Sequence, residues 1–144
     1  MISCTEFIPM YSALFKYLED RGGRRGVEKY WEHISDAYIK PRLGKLVEKH
    51  GLEGCFLYWA ETLNEEAADF IMRCDEDGGE FSIDMRYCPS KGMLNKIEHI
   101  KPYYDYCGHC TVLYSRVLRE YGIYQDYDLS KTDEAKCTIR LYKK

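Results

Sequence analysis

The sequence contains no block of basic residues and no apolar run long enough to span a membrane. Lysine and arginine together number 21 against 24 aspartate and glutamate residues, so the formal net charge is −3. A nucleic acid or an anionic membrane is therefore not expected as a partner. The first residues, Met1 to Tyr11, also lack the charged and apolar regions of a signal peptide, which predicts a cytoplasmic protein.

The sequence also lacks a disulfide framework's typical even number of cysteines, because its number of cysteines is odd. The seven cysteines are Cys4, Cys55, Cys74, Cys88, Cys107, Cys110 and Cys137. An odd number without an export signal predicts reduced thiols in the cytosol. Such thiols serve as small buried apolar groups, as metal ligands or as reactive groups.

Tyrosine, in contrast, is abundant, with 14 residues in a chain of 144. A tyrosine side chain has an apolar body and a polar tip, which suits the walls of pockets and the interfaces between subunits. This abundance is compatible with a homodimer interface. The length predicts one domain over residues 1–144, and no repeat or low-complexity segment interrupts it.

Apolar residues recur at helical spacing through residues 1–63. Gly22 and Gly23 are predicted to stop the first helix, and Pro41 is predicted to limit the second. The predicted helices cover residues 7–18, 24–40, 43–50 and 51–62.

From residue 64 onward the period of the pattern changes to two, which is typical of strands buried on one face. A short helix and then a long helix, from Pro102 to a stop at Gly122, separate two pairs of strands. The predicted strands are residues 68–74, 81–88, 123–129 and 135–142. Together with the N-terminal helices, residues 64–144 are predicted to form an α+β fold. Its sheet has four antiparallel strands, and the long C-terminal helix packs across it.

The segment Tyr106-Cys107-Gly108-His109-Cys110 is the richest in reactive side chains, and it allows three interpretations. The first is redox, because Cys107 to Cys110 resembles the active-site tetrad of protein disulfide isomerase. A thiol at a helix N-terminus is expected to have a lowered pKa. The context differs, because helix-like sequence precedes the segment and no proline follows it.

The second interpretation is a zinc site, in which Cys107, His109 and Cys110 are joined by Cys88 or His99. In a continuous helix His109 would lie about 200° around the axis from Cys107, so the three converge only if the helix starts near Gly108. No cofactor other than this zinc is expected.

The third interpretation is the wall of a ligand pocket. Tyr103, Cys107, Cys110 and Tyr114 lie near one face of the predicted helix, and Gly108 permits a close approach of a ligand. The simpler alternative is that both cysteines are small core residues.

A family resemblance covers about residues 65–144. The run Arg86-Tyr87-Cys88-Pro89, then a short helix, then Tyr106-Cys107-Gly108-His109-Cys110-Thr111-Val112-Leu113-Tyr114 resembles the L-2-amino-thiazoline-4-carboxylic acid hydrolase-like family. Cys137 matches the cysteine of that family's terminal strand. The same region is similar to vinyl-reductase-type ligand-binding domains and small TRAPP subunits.

The resemblance implies a small-molecule substrate and the opening of a cyclic thiazoline at an amidine-like C–N bond. That reaction needs a nucleophile, a proton shuttle and a carboxylate anchor. The resemblance implies the following roles: Cys107 as nucleophile, His109 as acid and base, Arg86 as anchor, Cys88 as a second thiol, and Tyr103, Cys110 and Tyr114 as further substrate contacts. Two alternatives stay open, a non-catalytic binding or sensory module of the same fold and a zinc-stabilised or dimeric interaction domain.

Overall fold

A computed structural model describes residues 4–144 of the chain. The α-helices are α1 (Cys4–Ile34), α2 (Lys45–His50), α3 (Leu52–Glu65), α4 (Pro89–Lys96) and α5 (Gly108–Arg119), with a π-helical segment at Ser35–Gly44 and a 3₁₀ turn at Thr132–Glu134. The strands are β1 (Asp69–Asp75), β2 (Glu80–Tyr87), β3 (Ile123–Asp128) and β4 (Cys137–Lys143). Within residues 4–144, no helix combines the length and the apolar character needed to cross a membrane.

The four strands form one antiparallel sheet in the order β1-β2-β4-β3, so the fold class is α+β as predicted. The two hairpins meet along β2 and β4, where Phe81 pairs with Leu141 and Ile83 pairs with Ile139. All four side chains are buried. Trp59 of α3 stacks on Phe81, with ring centroids 5.8 Å apart, so the helical layer covers this face of the sheet.

Helix α1 contains the break that the two glycines predict. Gly23 has φ +62° and ψ −173°, a conformation that glycine adopts without a steric cost. The predicted end at Pro41 is wrong, because the chain continues through this residue as the π-helical segment. Proline has no N–H and its ring crowds the carbonyl four residues earlier, and a wider turn relieves both problems.

The predicted start of the long helix at Pro102 is also wrong, because α5 begins only at Gly108. The preceding residues form turns that side chains of α1 hold in place. The N–H of Tyr103 donates to Ser12 Oγ at 2.8 Å, and Arg24 forms an ion pair with Asp105 at 2.5 Å. These tertiary partners replace the hydrogen bonds that a helix would have supplied.

The position of α5 is fixed by a buried hydrogen bond to the π-helical segment. Ser35 Oγ donates to the carbonyl oxygen of Leu113 at 2.6 Å, and Ser35 is fully buried. On the opposite side, the Tyr127 hydroxyl of β3 lies 3.1 Å from the carbonyl oxygen of Cys110. The first turns of α5 are therefore held between the helical layer and the edge strand of the sheet.

Candidate functional site

A cavity of about 140 Å³ lies between α3, α5 and the covered face of the sheet. Trp59, Ile83, Met85 and Ile139 give it a mostly apolar floor. Its volume is close to the roughly 150 Å³ of an apolar cavity that admits benzene or xenon. The space therefore suits one small ring with few substituents.

Four thiols and one imidazole converge on this cavity, which we call the thiol cavity. Cys88 lies between β2 and α4, Cys107 directly precedes α5, Cys110 lies in the first turn of α5, and Cys137 begins β4. His109 lines the same space, as does Tyr114 one helical turn after Cys110. None of the four cysteines forms a disulfide.

The thiol cavity thus brings together five residues that the sequence indicated: Cys88, Cys107, His109, Cys110 and Tyr114. These residues come from segments that are far apart in the sequence. They meet because the end of β2 and the start of α5 lie at the same end of the sheet.

Two other predicted contacts lie elsewhere. Arg86 is exposed and lines a separate groove, because strand side chains alternate and its neighbour Met85 takes the inward position. The Tyr103 hydroxyl donates to Glu19 Oε1 at 2.9 Å, away from the thiol cavity. The helical projection that placed it on the pocket face fails because α5 starts five residues later.

The orientation of the His109 ring is set by the backbone. Nδ1 contacts the carbonyl oxygen of Tyr106, which can only accept, so Nδ1 carries the proton. Nε2 is therefore the acceptor, and it lies 3.4 Å from Cys110 Sγ. The Cys110 thiol thus donates to an imidazole of fixed tautomer.

Aromatic rings from two segments enclose this imidazole. The ring centroids of Tyr11, Phe15 and Tyr106 lie 5.6, 5.7 and 4.7 Å from that of His109. Burial lowers the pKa of His109 to about 4, because the surrounding rings cannot solvate a charge. The ring is neutral at physiological pH.

The thiols of the cavity are protonated at rest. Burial raises the pKa of Cys107 to about 11 and that of Cys137 to about 12, and it raises the pKa of Cys110 well above the usual range. The pKa of Cys88 is raised by burial too, although the backbone N–H groups of Lys91 and Ser90 oppose the shift. The lowered pKa expected for Cys107 at a helix N-terminus is wrong, because burial raises this pKa.

The predicted zinc-binding site does not form in the part of the chain that the structure describes. Among the side chains of residues 6–144, no three His, Cys, Asp or Glu are grouped so that they could hold a metal ion. His109 illustrates why, since its Nδ1 is occupied by the Tyr106 carbonyl and its Nε2 by the Cys110 thiol.

Several residues of the cavity were not identified from the sequence. Lys91, Glu66, Tyr106 and Tyr127 all line it. Lys91 lies in the first turn of α4, directly after the extended residue Cys88, and no sequence pattern links the two. Burial raises the pKa of the Glu66 carboxyl, and no sequence pattern connects this residue to the cysteines.

The buried His109 makes folding stability depend on pH. In the unfolded chain an imidazole takes up a proton near pH 6.5, whereas in the folded chain His109 does so only at about pH 4. Between these values the unfolded state binds more protons, so the free energy of unfolding decreases by about 3 kcal/mol in total as the pH is lowered. The contribution is fully present above pH 6.5.

Urea denaturation from about pH 7 to about pH 4 measures this dependence. His109→Asn keeps a donor for the Tyr106 carbonyl and removes the titrating ring, so it should lose less stability on acidification than the wild type. His33→Asn, on the exposed part of α1, is the matched control and should follow the wild type. Equal acid sensitivity of all three proteins would contradict the prediction.

No protein-family model matches the chain, and no curated protein or solved structure gives a match to it either.

Proposed function

We propose that the chain binds a small cyclic molecule in the thiol cavity and hydrolyses a C–N bond of it, as a member of the L-2-amino-thiazoline-4-carboxylic acid hydrolase-like family. The observation that carries the proposal is the contact of a thiol with a neutral imidazole inside an enclosed, ligand-sized cavity. A nucleophile paired with a base is the usual arrangement for covalent catalysis.

The reaction consists of an addition and a hydrolysis. A cavity thiol adds to the amidine-like carbon, the imidazole passes the thiol proton to the ring nitrogen, and the C–N bond breaks. Water then attacks the same carbon, the C–S bond breaks, and the thiol takes back a proton. The net reaction consumes one water and leaves the protein unchanged.

Lys91 is the group that we propose to hold the substrate carboxylate in place of Arg86. It lines the cavity and is half-buried, and among residues 4–144 its ammonium makes no ion pair. Its charge is close enough to oppose the rise in the pKa of Cys107. An anion bound there would lie beside the thiols.

A non-catalytic binding module is the second candidate, and the protonated state of the thiols favours it. An enzyme usually lowers the pKa of its nucleophilic cysteine, whereas burial raises the pKa of every cysteine that lines this cavity. A module of this kind would bind the same small ring and release it unaltered.

Filling the cavity should abolish binding under either candidate. Cys137→Phe places a ring in the space, and we expect the affinity for 2-amino-thiazoline-4-carboxylate to fall more than about tenfold. Cys74→Phe is the matched control, because Cys74 is an exposed strand cysteine outside the cavity. Its affinity should equal that of the wild type.

Isothermal titration measures the affinities, and chromatography of the incubated mixture detects the ring-opened product. Binding with product supports the hydrolase, and binding without product supports the module. Wild-type binding that survives Cys137→Phe unchanged would show that the ligand binds elsewhere.

A further inference from the structure

We infer that Cys110, rather than Cys107, is the attacking thiol of the cavity, and that Nε2 of His109 is the base that receives its proton. The inference deepens the proposed function and rests on it for the substrate, but the reactivity of Cys110 can be measured without any substrate. It concerns soft electrophiles that are small enough to enter the cavity.

The contact between Cys110 and His109 separates this thiol from the others. Cys110 Sγ lies 3.4 Å from His109 Nε2. Among residues 4–144, neither Cys88, Cys107 nor Cys137 has a ring nitrogen within hydrogen-bonding distance of its sulfur. A thiol without such a base must lose its proton to water before it reacts.

Packing holds the pair in one geometry. The Tyr106 carbonyl fixes the tautomer, and the Phe15 and Tyr11 rings of α1 hold the imidazole plane. The Tyr127 hydroxyl lies 3.1 Å from the Cys110 carbonyl oxygen and fixes the backbone from the sheet side. The base and the nucleophile are therefore in contact before a ligand arrives.

The charged and titratable groups around the pair explain why it is neutral at rest. They are Tyr11 from α1, Glu66 after α3, Cys88 before α4, Asp105, Tyr106 and Cys107 before α5, Tyr114 in α5, Tyr127 in β3 and Cys137 in β4. Lys91 and Lys136 line the same cavity, but burial, the other thiols and Glu66, rather than a cation, act on the pKa of Cys110. Transfer of the proton must therefore accompany formation of the bond from sulfur to carbon.

Each proton and electron pair has a defined destination in this step. The sulfur forms the S–C bond while its proton moves to His109 Nε2, which becomes an imidazolium. With a substrate, the imidazolium returns the proton to the nitrogen as the C–N bond breaks. With iodoacetamide, the C–I bond breaks, iodide leaves with its electron pair, and the imidazolium loses its proton to water.

The test is the pH dependence of alkylation by iodoacetamide, followed for each cysteine of the full chain by peptide mass spectrometry. From about pH 6 to about pH 9 we expect the rate at Cys110 to change less than about threefold, because the base is neutral throughout. The rate at Cys107 should rise about tenfold per pH unit, because it follows the fraction of thiolate.

His109→Asn should change the profile at Cys110 to the tenfold rise and lower its rate at about pH 7 by at least about a hundredfold. His33→Asn should leave the wild-type profile. The wild-type profile alone tests the inference if His109→Asn does not fold, since a tenfold rise at Cys110 in the wild type would overturn it. So would a Cys110 rate that His109→Asn leaves unchanged.

The two proposals can fail separately. If the alkylation rate of Cys110 is independent of pH but no thiazoline acid is turned over, the hydrolase proposal is excluded and the reactive pair of Cys110 and His109 is retained. If turnover persists in Cys110→Ser, Cys110 is excluded as the nucleophile and the hydrolase proposal is retained.

Discussion

Replacing Phe15 by alanine should lower the free energy of unfolding by about 3–5 kcal/mol. The side chain is fully buried, and its ring contacts aromatic rings of α1 and of the turns before α5. The centroids of Tyr11, Trp31 and Tyr103 lie 4.4, 5.2 and 5.8 Å from its own. Removing the ring leaves a cavity that these rigid neighbours cannot close, and it also removes one wall of the His109 site.

Urea denaturation followed by circular dichroism gives the loss directly. Phe7→Ala is the matched control, because it removes the same ring from the same helix at a position that is 62% exposed. We expect that variant to stay within about 0.5 kcal/mol of the wild type. Similar losses for both variants would mean that the aromatic cluster around Phe15 does not form as described.

The sheet was predictable because its signal is local. Alternating apolar residues in β2 and β4 indicate which face is buried, and pairing of Ile83 with Ile139 joins two inward positions. The turn between β1 and β2 contains Gly78 and Gly79 and lies between the two predicted strands. Only the ends moved, for example at Ala135, which has φ +59° and so lies outside the strand that was predicted to begin there.

The helices were less predictable where tertiary partners decide their ends. Nothing in residues 102–107 shows that Ser12 and Arg24, far earlier in the chain, will bind this segment. A helix that appears continuous by periodicity therefore begins at Gly108. This shift changes which side chains face the cavity, and it explains why Tyr103 was placed there in error.

The candidate site was predictable in its residues and not in its electrostatics. Clustering of Cys107, His109 and Cys110 in the sequence is enough to identify them as one chemical site. Burial of that site depends on α1 and on the sheet, and burial determines that the imidazole is neutral and the thiols are protonated. Burial, which the sequence does not show, therefore decides the protonation state of these thiols.

The same packing that makes these groups neutral also forms the contact between the base and the thiol. Aromatic rings of α1 surround His109, and its Nε2 is directed at the Cys110 thiol. Stability and reactivity are therefore coupled through α1. Variants that loosen this helix should weaken the pH-independent reactivity of Cys110 as well as the fold.

Replacing Gly54 by alanine should cost about 3 kcal/mol, although alanine is the better helix former. Gly54 is buried in α3 where this helix crosses α2. A Cβ atom there would lie 2.7 Å from the backbone nitrogen of Val47 and closer still to the carbonyl of Leu46. These are main-chain atoms, so relief requires the two helices to separate and exposes Leu52 and Val47, which are buried at their junction.

Gly22→Ala is the matched control for this prediction. A Cβ atom at Gly22 would meet nothing within 4 Å, so the substitution should be neutral or stabilise by up to about 1 kcal/mol. Urea denaturation of both variants measures the contrast. A Gly54→Ala variant as stable as the wild type would contradict the close packing of α2 on α3. That packing positions Trp59 of α3, which forms part of the floor of the thiol cavity.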